Sequence, residues 1–168
     1  MKKTSKKPKE KKPPSKYLNK KEITVYIFNV VEDEWSFLSS IQPVEKRYEK
    51  INASNLAAEA YLFANAAEDN FFYISPIEIP ENFKNYFIEI VGKRNFEIFV
   101  PQMKTGLICK DLYTDKPLFS DLINKLRKFQ KIKLISYAAS PEFLELKDRL
   151  IQLGLNVITP EAPELENA

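Results

Sequence analysis

The chain contains no histidine, and that absence removes histidine-based catalytic triads and imidazole metal ligands from consideration. It has one cysteine, Cys109, so neither an internal disulfide nor a cysteine-rich zinc site can form, and a reducing, cytoplasmic setting is expected. Glycine is scarce: Gly92, Gly106 and Gly154 are the only three, and none belongs to a G-x-G-x-x-G or Walker pattern. A phosphate-gripping loop of either kind is thereby excluded. No apolar run approaches the ~20 residues of a membrane span. The lysine-rich start is followed by no apolar segment, so it is not a secretory signal, and it lacks the arginines of a transit peptide.

The chain's 168 residues, 44% hydrophobic and 12% aromatic, suit one globular domain with a proper core. Its net charge of +3 conceals a division. Residues 1–21 carry ten lysines and a single acid, Glu10, which leaves 16 basic against 22 acidic residues in the remainder. A segment this rich in lysine, proline and serine has little to bury, and disorder is expected over 1–21. Such a tail is a solubilising extension or a weak, nonspecific contact for nucleic acid or anionic lipid through residues 2–21. No aromatic is interleaved before Tyr17, which argues against a sequence-reading groove.

From Glu22 the pattern changes. Residues 23–30 form a continuous apolar strand suited to burial on both faces. Residues 32–42 read as a short helix or a loop closed by Pro43, and 44–52 as a polar stretch anchored by Val44, Tyr48 and Ile51. A helix is predicted over 54–67, capped by Asn52 or Ser54. Strand 70–75 ends at Pro76, helix 81–91 ends at Gly92, and strand 96–100 ends at Pro101. Residues 102–116 read as a long connection, followed by helix 117–129, strand 132–138, helix 141–153 and strand 155–159. Strands alternating with helices imply right-handed crossovers and an α/β three-layer, Rossmann-like sandwich with a mostly parallel five-stranded sheet. Its domain spans 22–163, with 164–168 expected to be a truncated C-terminal end.

In an open parallel sheet ligands meet the loops beyond the strand C-termini. Those loops supply Asn29 and Glu32 after the first strand, Lys104, Thr105 and Lys110 after the third, and Tyr137, Ser140 and Glu142 after the fourth. Ser140, Pro141 and Glu142 also read simply as a good helix start, with Ser140 as N-cap. If these loops share one edge, the two lysines make it locally positive, and Ser140 with the free N–H groups of its helix can receive a carboxylate. The acids Glu32, Asp33 and Glu34 suit a helix N-terminus better than a metal, and no metal site is assigned. Cys109 beside Lys110 offers a reactive thiol, while Leu107, Ile108 and Leu112 around it suggest packing instead. No catalytic residue is assigned.

Four stretches carry a family resemblance: NASNLAAEAYLFANAAEDNFFYISPIEIPENFKNYFIEI, FEIFVP, KIKLISYAASPEFLELKDRLIQLGL and NVITPEAPE. In content and order they resemble the pre-ATP-grasp domain, the Rossmann-like N-terminal module of ATP-grasp carboxylate–amine ligases, including the peptide-ligase group. The resemblance covers about 23–163 and rests on pattern without a catalytic signature. It implies a substrate-side or structural accessory module, not active alone, with no cofactor of its own. ATP and magnesium are implied only with a downstream ATP-grasp module, supplied in cis or in trans, and a small carboxylate is the implied substrate class. Two alternatives stay open: a non-enzymatic binding module using the basic tail, and a small stand-alone enzyme using the 104–116 loop.

Overall fold

Ile23, Val25 and Ile27 point to one side of the first strand, β1 (Glu22–Ile27), and Tyr26 to the other. That two-sided apolar content is what a central strand needs. The computed structural model describes residues 21–92 and 95–160, and there β1 lies at the middle of an all-parallel sheet. Around it are β2 (Asn70–Ile74), β3 (Asn95–Phe99), β4 (Lys131–Ser136) and β5 (Val157–Ile158), in the order β3-β2-β1-β4-β5. Thr24 aligns with Phe71 of β2 and with Lys133 of β4, which fixes the register on both sides.

The helices are α1 (Val30–Asp33), α2 (Trp35–Leu38), α3 (Val44–Asn55), α4 (Ala58–Tyr61), α5 (Glu81–Val91), α6 (Ile108–Thr114), α7 (Lys116–Leu126) and α8 (Pro141–Gln152). A 3-10 turn at Leu62–Asn65 follows α4. Right-handed crossovers carry β1 to β2 to β3 outward in one direction and β3 to β4 to β5 back in the other. Their helices therefore fall on opposite faces. One face buries Ile23, Val25, Ile27, Phe72 and Leu134 against α6, α7 and α8. The other buries Phe71 and Tyr73 against Ala58, Leu62 and Phe87 from α4, the 3-10 turn and α5. Three layers result, as the alternation implies.

Most element positions follow the sequence closely. α5 runs over 81–91 and stops at Gly92, whose φ of 84° and ψ of 172° belong to a region essentially reserved for glycine. α8 begins after Ser140, whose hydroxyl accepts the Phe143 N–H at 3.1 Å. Three segments differ. β1 ends at Ile27, and Val30 already starts a helix. The polar stretch at 44–52 is part of α3, and the helix expected over 54–67 is broken into the end of α3, the short α4 and the 3-10 turn. α3 buries only Ile51 and Asn55, so its apolar side is too narrow to register as periodicity. The connection expected over 102–116 contains α6, which buries Ile108, Cys109 and Leu112. The expected disorder of 1–21 falls, except for Lys21, outside the described residues, as does the segment 164–168. Among the described residues no helix is long and apolar enough to cross a membrane.

Candidate functional site at the C-terminal edge of the sheet

Polar side chains are rarely buried without a purpose or a partner. Here the buried polar residues are Thr24, Asn29, Glu32, Asn55, Asn65, Ser75, Asp111 and Ser140. Six of these eight, all but Thr24 and Asn65, gather beyond the C-terminal ends of the strands. The order β3-β2-β1-β4-β5 reverses direction between β1 and β4, and the loops that leave those two strands meet there. Asn29 joins them: its Oδ1 accepts the Ala138 N–H at 2.9 Å, and its Nδ2 donates to the Ala138 carbonyl at 2.8 Å.

Glu32 lies at the centre of this junction. Its Oε2 accepts from the Ser140 hydroxyl at 2.7 Å and from Asn29 Nδ2 at 3.0 Å, and its Oε1 accepts the Cys109 N–H at 2.6 Å. One carboxylate thus fastens the loop after β1 to the starts of α6 and α8. Burial pushes the Glu32 pKa up, and the hydrogen bonds from Ser140, Cys109 and Asn29 only partly offset that. The expected role of Ser140 needs correction as a result. The carboxylate beside its hydroxyl is the protein's own Glu32, and Ser140 also caps α8, so that position is filled.

A second buried carboxylate shapes the loop before α6. Asp111 accepts the Thr105 N–H at 2.9 Å on Oδ2 and the Thr105 hydroxyl at 2.7 Å on Oδ1. Burial raises its pKa, with the Lys110 charge pulling the other way. Gly106, at φ +99°, lets this loop lie directly on Trp35 and Val31: a Cβ there would meet their side chains at 3.0 and 3.1 Å. Between the loop and the ends of β1, β2 and β3 is a small crevice open to solvent, with room for about one water. Phe28, Met103, Asn29, Asn55, Lys104 and Asp111 are among its walls.

The residues singled out by sequence are not all together. Asn29, Glu32 and Ser140 share the junction, and Lys104 lies on the crevice. Thr105 is committed to Asp111. Lys110 is exposed on α6 and is not a wall of the crevice, so it does not make a pair with Lys104 there. Tyr137 is 52% exposed and leans on Phe28 and Tyr61, with ring centroids 6.1 and 6.0 Å away. Glu142 is half-buried in the first turn of α8. Cys109 is fully buried, and burial, then the Glu32 charge, raise its thiol pKa well above the ordinary value. The activation by Lys110 entertained from sequence does not occur; thiolate formation is suppressed instead. Sequence reasoning missed Asn55 because the boundary of its helix was misplaced, and undervalued Asp111 because α6 was read as a loop.

Neither a protein-family model, a curated protein nor a solved structure matches the chain. Among the described residues no group of three or more Cys, Asp or Glu side chains is placed to hold a metal ion.

Proposed function

We propose that the chain is a pre-ATP-grasp-type module, a substrate-side accessory to an ATP-dependent carboxylate–amine ligase whose ATP-grasp catalytic module is supplied in cis or in trans. The observation that carries this reading is the make-up of the crevice. The crevice beyond the C-terminal ends of β1, β2 and β3 is lined by amides, a carboxylate and a lysine, with no glycine-rich loop to approach a pyrophosphate. Asn29, Glu32 and Ser140 close the switch point with the protein's own hydrogen bonds, which makes that junction a rigid frame. ATP and magnesium belong, on this reading, to the catalytic module, while this chain frames the side where a small carboxylate enters.

The test is in two arms. Calorimetry of the chain alone with magnesium-ATP is expected to show no binding. Adding the chain to an ATP-grasp module encoded in the same genome, with candidate carboxylates and amines, is expected to raise ADP release above that of the module alone. ATP hydrolysis by the isolated chain, or ADP release indifferent to its presence, would overturn the reading.

A further inference from the structure

The two edges of the sheet are finished differently. β5 is an edge of two residues followed by Pro160, and short strands and prolines both close an edge to further pairing. β3, at the other edge, has five residues, Asn-Phe-Glu-Ile-Phe, with no proline or lysine among them. Its inward side is set by two bonds: the Asn95 N–H donates to the Asp69 carbonyl at 3.1 Å, and the Phe99 carbonyl accepts the Ser75 N–H at 3.0 Å. Backbone groups alternate in direction along a strand. The N–H and C=O of Phe96 and Ile98 therefore point away from β2, where no further strand lies among the described residues. Their side chains are half-buried beside α5, with the Phe96 ring stacked on Phe71 at 5.3 Å between centroids. Glu97 points to the other face, where Lys125 of α7 pairs with it and with Asp121. An open groove of about 270 Å³ lies against this edge, with Ile79 and Lys84 beside Phe96, Glu97 and Ile98 in its walls.

We propose that β3 is the edge through which two copies of this chain pair, antiparallel about a two-fold axis at Glu97, joining their sheets into one. In that register Phe96 lies opposite Ile98 of the second copy, and the outward N–H and C=O groups of both residues are satisfied on each side of the axis. Moving the axis to Phe96 or Ile98 would put one of them opposite a residue outside β3. On the α5 face the pairing sets an aromatic ring against a β-branched side chain twice, which is a favourable cross-strand pair. On the α7 face it brings the two Glu97 carboxylates together, which alone would repel. Each copy answers with its own Lys125, so carboxylates and ammoniums meet at the axis in equal number. The terminal segments are poorer occupants. Residues 1–20 contain Pro8, Pro13 and Pro14 and no aromatic before Tyr17, while 161–168 contain Pro163 and follow β5 at the opposite edge. A five-residue edge with one helix flank falls short of the about 800 Å² per partner of a standard interface, which sets the expected affinity in the micromolar range. The pairing stands whether or not the ligase reading does.

Sedimentation equilibrium of the full chain from about 1 to about 500 μM is expected to follow a monomer–dimer curve. Hydrogen exchange of the Phe96 and Ile98 amides is expected to slow as concentration rises. Ile98→Pro removes an outward N–H without touching the bonds to β2, and should weaken association by about tenfold or more. Lys125→Met should weaken it by a similar factor, by leaving the two Glu97 carboxylates opposed, and adding Glu97→Gln in that background should restore it. Ile158→Lys, at the opposite edge, should leave association unchanged, as should deletion of residues 1–20. Amide spectra that keep the wild-type dispersion confirm that each variant folds. A chain still monomeric at about 500 μM, or a dimer as tight in Ile98→Pro as in the wild type, would overturn the proposal. So would protection of Phe96 and Ile98 that does not vary with concentration, which would mean that the chain covers its own edge. Association lost with residues 1–20 would overturn it too, by placing the tail in the interface.

Discussion

Glu32 is a carboxylate 5% exposed that meets only neutral donors, so ionising it in place is more costly than ionising it in the unfolded chain. Asp111 is in the same position, with only Thr105 and the outlying Lys110 to favour its charge. Both folded pKa values lie above their ordinary values of 4.5 and 3.8, because burial outweighs the hydrogen bonds. The folded state therefore binds protons more tightly than the unfolded state across that window. Stability is greatest toward the acidic side and declines as pH rises from the ordinary values through the raised ones. The carboxylates held below their ordinary values, Glu22 and Glu145, act in the opposite direction, but they are exposed and well screened. Denaturant midpoints are thus expected to fall as pH rises above the ordinary carboxylate values. Glu32→Gln should flatten part of that slope while costing about 1–3 kcal/mol at the acidic end, where a neutral acid already fits and the amide leaves a donor misplaced. A midpoint that rises over the same range would show that the two carboxylates are ionised at no cost.

At the scale of elements, two helix starts are built alike yet do different amounts of work. Asp115 caps α7 by accepting the Leu118 N–H at 3.2 Å and also takes the Gln102 N–H at 3.0 Å. Ser140 caps α8 and in addition donates to Glu32, so its loss strands a buried carboxylate as well as an orphan N–H. Ser140→Ala is expected to cost about 2–3 kcal/mol, against about 1–2 for Asp115→Ala. In a Glu32→Gln background the Ser140 penalty should shrink, since the two share one bond. Strictly additive losses in chemical denaturation would refute that coupling. The Ser140 cap was legible in the sequence, because Ser-Pro-Glu names its own geometry through local chemistry. So were the five strands and α5, which declare themselves by apolar runs and by proline or glycine stops. α3 and α6 were not. α3 is mostly solvent-facing, and α6 is only seven residues long, so neither shows two turns of clean periodicity. That is also why the site was half legible. Asn29, Glu32 and Ser140 sit next to strand ends, where topology alone predicts their meeting, but Asn55 and Asp111 reach the crevice from the two helices that pattern could not place.

On the scale of the whole molecule, charge is unevenly divided, with a basic start and an acidic remainder. Removing residues 1–20 takes away nine lysines and Glu10, and turns a net charge of +3 into −5. Among the described residues of the acidic body, Lys131 and Lys133 both face Glu22, and Lys125 lies between Glu97 and Asp121. Affinity for single-stranded nucleic acid should accordingly reside in the tail and be indifferent to base sequence, because lysines that neutralise phosphates release counterions without reading base edges. Fluorescence anisotropy with a short thymidine oligonucleotide is expected to give a plot of log affinity against log salt with a slope no steeper than about −6, from about 0.7 per phosphate contact and nine lysines. Deleting 1–20 should abolish binding at every salt concentration. Binding that survives the deletion would place a nucleic-acid site on the acidic body itself, and a shallow slope with a preference for one base would turn the tail from a counterion exchanger into a reader of sequence.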